Sequence, residues 1–225
     1  MIALTDVSHV IWDFNGTLFD DVSLSVDILR SFCLERGIKP LDIEIYRQYF
    51  CHPVIEFYRR AGFDVDEGEF HVLSHDFHDR YLTRLQECRL FDGARELLDF
   101  FSAAGLSQSI LSALPQDILR SIVASLSLEA YFTDVLGANN RLASGKLDTG
   151  RAWMQASRLS PSEILLIGDT THDAEVAEAL GVPCILVAQG FQSRRVVERT
   201  GLDVFGSLSE LSREIQSALP VVREE

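Results

Sequence analysis

Five side chains in this sequence are of the types and spacing that do chemistry together: Asp13, Ser112, Lys146, Asp169 and Asp173. Each lies in a short polar patch where a strand is predicted to end. Val10-Ile11-Trp12 runs into Asp13, Ile110-Leu111 into Ser112, and Ile164 to Ile167 into Gly168-Asp169-Thr170-Thr171-His172-Asp173, while Lys146 sits in the loop Ser144-Gly145-Lys146. Open α/β sheets bind ligands beyond the carboxyl ends of their strands, so these patches are expected to converge. Three carboxylates gathered at one sheet edge resist joint ionisation unless a cation lies among them. A hard divalent ion meets that demand, and Mg²⁺ fits best where phosphate and waters complete the shell. Lys146 then offers a fixed positive charge to phosphate oxygens and Ser112 a hydroxyl donor. The backbone amides after Asp13 and at Ala113 add donors in the same direction. The chemistry this implies is phosphoryl transfer.

Asp13-x-Asn15-Gly16-Thr17, Ser112, Lys146 and Gly168-Asp169-x-x-x-Asp173, in this order, resemble the four signatures of the haloacid dehalogenase (HAD) superfamily. The resemblance extends over nearly the whole chain and implies subfamily I with a helical C1 cap, broadly like the phosphoglycolate phosphatase branch. It implies Asp13 as nucleophile and metal ligand, Ser112 and Lys146 as phosphate holders, Asp169 as metal ligand, and Asp173 as a ligand or a support for Lys146. The expected cofactor is Mg²⁺ and the expected substrate a small phosphorylated metabolite.

Asn15 departs from that pattern, which has Asp there. By the resemblance this residue ligates the metal through its backbone carbonyl and exchanges a proton with the leaving group through its side chain. An amide keeps the first role and loses the second, because it neither gives nor takes a proton near neutral pH. Loss of a general acid–base group costs about 10²–10⁴ in rate, and a covalent aspartyl phosphate would then be long-lived. Four accounts stand open: a slow phosphatase, or one using water, His172 or a cap residue as proton source; a substituted, inactivated variant; a phosphate-binding or regulatory protein with weak turnover; and deamidation of Asn15-Gly16 to Asp. Dehalogenase and phosphonoacetaldehyde hydrolase chemistry fit less well. By the resemblance the former places Tyr at this position, and the latter needs a cap lysine where only Lys39 is available.

A chain of 225 residues can bury one substantial core with a smaller appended unit. The net charge of -14 argues against nucleic acid or an anionic membrane held by a general basic surface. Cys33, Cys51, Cys88 and Cys184 show no metal or redox spacing. No bilayer-length apolar run and no signal-peptide build are present, so a cytoplasmic protein is expected, its oligomeric state unspecified.

The elements that must position these groups follow from periodicity. Strands are expected at Val7–Trp12, Ser107–Leu111, Phe132–Leu136, Ile164–Ile167 and Cys184–Val187. Helices are expected at Ala94–Ala104, Pro115–Leu126, Thr149–Arg158 and Asp173–Leu180. Such alternation predicts an α/β fold, a Rossmann-like doubly wound parallel sheet. Between Asp20 and Cys88 the pattern is helical throughout, with helices near Val22–Cys33, Ile43–Phe50, Val54–Ala61 and Phe70–Leu85. The expected division is a core of residues 1–20 and 90–225 and a helical cap of residues 21–89, with Val221–Glu225 frayed.

Within the cap, Arg47, His52, Arg59 and Arg60 are candidates for reading an anionic tail, against the alternative of a solvated basic face. His71, His75 and His78 share one helix stripe, as metal ligands would, but are expected to form only a half-exposed flank.

Overall fold

A computed structural model describes residues 6–138 and 145–218. Its sheet is centred on β1 (His9–Trp12), whose four residues are all buried. β1 pairs in parallel with β4 (Ser107–Pro115) on one side and β6 (Ile164–Gly168) on the other. Outside β4 lies β5 (Asp134–Ala138); β7 (Cys184–Val187) and β8 (Asp203–Phe205) continue past β6. The order is β5-β4-β1-β6-β7-β8, parallel throughout. Strand order reverses across β1, which opens the crevice where such sheets hold ligands.

Alternate residues of the strands feed two cores. Val10, Trp12, Ile110, Leu165 and Ile167 pack under α5 (Ala94–Ala103), α6 (Gln116–Ser125) and α10 (Leu208–Ala218). Ile11, Leu111, Leu166 and Leu186 face α7 (Lys146–Ser157) and α8 (Thr171–Leu180). Gln108, fully buried in β4, is tolerated because every polar contact is met. Its Oε1 accepts from Trp12 Nε1 at 2.9 Å, and its Nε2 donates to Leu98 O and Ser102 Oγ.

The helices that the chain forms between β1 and β4, before α5, are α1 (Val22–Glu35), α2 (Ile43–Tyr49), α3 (Val54–Arg60) and α4 (Glu67–Arg84). α4 starts at Asp66, whose side chain accepts from Glu69 N, and buries Phe70, Leu73, Ser74, His78 and Tyr81 along one stripe. A two-stranded antiparallel ribbon, β2 (Phe19–Asp20) with β3 (Arg89–Leu90), closes the base of these helices.

Several elements differ from the sequence expectation. β4 runs on to Pro115, with a register irregularity after Leu111, so Ser112 lies within the strand and Pro115 precedes α6 instead of opening it. α7 begins at Lys146, three residues earlier than expected, because Gly145 at φ 90° turns the chain directly into the helix. β2, β3, β8, α9 (Arg194–Val197) and α10 have no expected counterpart; the strands among them are two or three residues long and, apart from buried Phe19, at most partly buried. Ser144 and Val221–Glu225 lie outside the described residues.

One buried histidine sets an acid limit on this fold. His9 is 1% exposed, its Nδ1 lies 2.6 Å from Ser107 Oγ and its ring 4.7 Å from Trp153. Burial lowers its pKa from 6.5 to about 4, against a weaker upward pull from Asp134. Between those values the unfolded chain takes a proton that the native state refuses, so stability falls as pH drops through that window. The loss is on the order of 3 kcal/mol at full extent. His9→Phe, which keeps a ring against Trp153, is expected to flatten this limb when urea midpoints are compared between pH 7 and pH 4.

Candidate active site

Asp13 follows β1 directly, its amide donating to Ile167 O at 2.8 Å, and this places its carboxylate at the crevice. Asp169 follows β6. Asp173, on the first turn of α8, closes a capping box with Thr170: its Oδ2 accepts from Thr170 N at 2.9 Å and Thr170 Oγ1 at 2.7 Å. Oxygens of Asp13, Asp169 and Asp173 all lie within 4.8 Å of one another, and all three residues are buried. Glycines admit this crowding. At Gly16, φ 78°, a β-carbon would lie 2.5 Å from Asp169 Oδ2, and one at Gly190 would overlap the same oxygen.

Lys146, 3% exposed, reaches from the start of α7 into the cluster. Its Nζ donates to Asp13 Oδ1 at 2.5 Å and Asp173 Oδ1 at 2.6 Å. Burial pulls its pKa down, but the two carboxylates outweigh that and hold it charged. Burial raises Asp13 to about 6 even with Lys146 drawing it down. Asp173 also feels burial, but the charge and hydrogen bond of Lys146 bring it to about 2. Burial, followed by the charges of Asp13 and Asp173, pushes Asp169 well above the carboxylate range. Its Oδ2 accepts from Phe191 N at 2.6 Å and its Oδ1 from Thr17 Oγ1 at 3.0 Å; the same hydroxyl lies 3.1 Å from Asp13 Oδ2.

Asn15 is held in a closed polar triangle. Its Nδ2 donates to Asp21 Oδ2 at 2.7 Å and to Tyr81 OH at 3.0 Å, and Tyr81 OH donates to the same Asp21 oxygen at 2.7 Å. Asp21 Oδ1 accepts from Gly16 N at 3.2 Å. Burial raises the Asp21 carboxyl to about 7, with the hydrogen bonds from Tyr81 and Asn15 working against it. Ser112 Oγ donates to Asn15 Oδ1 at 3.4 Å, and Ala113 lines the same cavity.

Residues 10–187 match the family of haloacid dehalogenase-like hydrolases. The chain belongs to that family. A phosphoglycolate phosphatase of Pseudomonas fluorescens is 25% identical over 211 residues, 90% of this chain and 77% of the relative. A 5'-nucleotidase of Pseudomonas aeruginosa is 29% identical over 191 residues, covering 82% and 84%. Among solved structures, one titled as a predicted phosphatase from Clostridium acetobutylicum superposes with a TM-score of 0.80 over 94% of this chain and 99% of that one; at 22% identity it speaks for the fold. No helix among the described residues of this HAD-like hydrolase is long and apolar enough to cross a membrane.

The other expected site residues part company. Of the four cap candidates only His52 lines the cavity above Asp13. It stacks on His172 at 4.4 Å, and burial, followed by His172, lowers its pKa to about 3, so it is neutral. Arg47 faces the sheet domain instead, donating from Nε to Gly190 O at 2.9 Å and from Nη2 to Gln189 O at 2.8 Å. Arg59 is exposed and bonds Glu56 and Val65 O, and Arg60 is exposed at the end of α3; neither lines the cavity. His71 and His75 are exposed as expected, but His78 is buried and lines the cavity, with Nδ1 2.6 Å from Ser74 O. Sequence reasoning missed Asp21, Tyr81, Thr17 and Phe191. Asp21 precedes α1, where it reads as a helix cap, yet its carboxylate makes no capping bond and turns back to Asn15. An acid six residues after an asparagine in an acid's place was the available signal.

Proposed function

We propose that this chain is a Mg²⁺-dependent phosphatase acting on a small phosphomonoester through a covalent phosphate on Asp13. The observation carrying this reading is the buried trio Asp13, Asp169 and Asp173 with Lys146 bridging two of its members. Three buried acids share one ammonium, and among the described residues Asp169 has no cationic partner. A hard divalent ion fits that oxygen-only donor set. Asp13, Asp169 and the Asn15 backbone carbonyl would hold it, with Asp173 mainly orienting Lys146 and the Asp169–Thr170 turn. Bound there, Mg²⁺ supplies neutralisation of charge on the transferring phosphoryl group.

The chain's own residues do the rest. Lys146 fixes Asp13 Oδ1, so Oδ2, met among the described residues by the Thr17 hydroxyl alone, is the freer oxygen to attack phosphorus. The O–P bond forms as the ester P–O bond breaks. Ser112, Lys146 and the Ala113 amide hold the phosphate oxygens. The leaving alkoxide takes its proton from water, since Asn15 is an amide engaged with Asp21 and Tyr81. A second water then attacks phosphorus, freeing phosphate and the Asp13 carboxylate. In this reading helices α1–α4, residues 21–89, cap a core of residues 1–20 and 90–225.

The relatives named phosphoglycolate phosphatase and 5'-nucleotidase support phosphomonoester hydrolysis while differing in leaving group. Asn15 also favours a second reading, a phosphate-binding protein with weak turnover. Phosphate release from aryl and alkyl phosphates with Mg²⁺, combined with trapping of phosphate on the protein, separates them. Release and trapping that both vanish in Asp13→Asn support the enzyme; phosphate affinity without either supports the binder. The cation is tested without turnover. At one hundred times its Kd, Mg²⁺ adds about 2.7 kcal/mol of stability, worth about 5–10 °C in Tm at this chain length. Asp169→Asn is expected to abolish that shift in differential scanning calorimetry.

A further inference from the structure

The cavity above Asp13 bears on what the phosphate is attached to, an inference that rests on the phosphatase reading above. Its free volume, open mouth included, is about 1030 Å³, and Leu29, Tyr46, Phe57, Phe77 and Tyr81 wall it from the helices, with Phe191 from the segment after β7. Its charges are one-sided. Among the described residues the only lysine or arginine on it is Lys146, already paired with Asp13 and Asp173, while four aspartates line it, Asp21 among them. The arginines of α2 and α3 do not reach it: Arg47 is bonded to Gly190 O and Gln189 O, and Arg59 to Glu56.

An anionic leaving group would leave water there with no free lysine or arginine to pair with and would face buried acidic side chains, a costly arrangement. A ring or alkyl group would instead cover aromatic wall and gain from burial. A two-carbon acid could cover little of that wall. We infer that the preferred substrate is a phosphomonoester with an uncharged, ring-bearing and mainly apolar leaving group, as opposed to a phosphorylated small acid. The buried His52 ring, stacked on His172, adds a flat ring face to that wall.

The test compares benzyl phosphate with 4-carboxybenzyl phosphate, alike in shape but for one carboxylate, and with phosphoglycolate. With the full chain and Mg²⁺, kcat/KM is expected to favour benzyl phosphate by about 100-fold or more. A ratio near one, or a preference for either acid, overturns the inference. Calorimetric titration of the three esters into Asp13→Asn with Mg²⁺ gives the same comparison without turnover. If no ester releases phosphate yet benzyl phosphate still binds preferentially, the phosphatase reading falls and the cavity's preference stands. Equal binding of the three, or binding of none, overturns the preference.

Discussion

Asn15→Asp alone is expected to cost the fold about 1–3 kcal/mol and return little activity, whereas Asn15→Asp combined with Asp21→Asn restores stability and raises kcat by about 10²–10⁴. The reason is the triangle around Asn15. Its Nδ2 donates both to Asp21 Oδ2, at 2.7 Å, and to Tyr81 OH. A carboxylate at position 15 would set two acids in hydrogen-bond contact inside the protein. They cannot both ionise there, so one retains a proton shared with the other and the new acid is tied up. Exchanging the two side chains reverses the polarity. The amide at position 21 donates where Asp21 accepted, its carbonyl still accepts from Gly16 N, and the Tyr81 hydroxyl turns to donate to position 15. Urea unfolding and steady-state phosphate release on the four proteins of this cycle give the coupling directly. If the exchanged pair releases phosphate no faster than the parent, the missing acid is not what limits the rate.

Lys146→Met is expected to lower kcat/KM by about 10²–10³ and to destabilise the metal-free protein by about 3–5 kcal/mol. Lys146 is 3% exposed and lies between two carboxylates at 2.5 and 2.6 Å. Its removal strands Asp13 and Asp173 beside Asp169 with no positive charge among them. The stability loss should shrink toward acid pH, where protonation relieves the repulsion. Mg²⁺ should recover part of it, which a merely space-filling lysine would not predict. Lys146→Arg is expected to fail as a rescue, because a planar guanidinium cannot replace a compact ammonium in that gap. Chemical denaturation at pH 5 and pH 8, with and without Mg²⁺, reads all of these effects.

How much of this was legible in the sequence depended on how locally each feature is encoded. Apolar runs ending in Asp13 and in Gly168-Asp169 announce β1 and β6, because a strand buried on both faces has no polar alternation to blur it. The apolar run ending at Ser112 and the loop Ser144-Gly145-Lys146 point to the same edge, and the family resemblance adds the roles of Ser112 and Lys146. The expected strand stops at Leu111 because Ser-Ala-Leu-Pro reads as a helix entry, and nothing local reveals the parallel pairing of Pro115 with Ala138. β8 escaped notice because it is three half-buried residues at the sheet's edge. Charge nominates the arginines of α2 and α3, but charge does not say which way a helix faces. Only folding shows that Arg47 points at Gly190 and that His52 points at the cavity. Tyr81 lies 66 positions from Asn15, a partnership that no local pattern carries.

Residues Gln189 to Ser193, one position beyond the end of β7, bond both the sheet and the helices above it. Their Gly190 and Gln189 carbonyls take the Arg47 guanidinium, Gln192 Nε2 holds Phe50 O, and the Phe191 amide is the donor on Asp169. Any outward swing of α2 that tugs this strap therefore slackens the grip on Asp169 too. Were a cation to load the acidic cage, its binding and the seating of these helices would be linked through Asp169, each altering the other to the same degree.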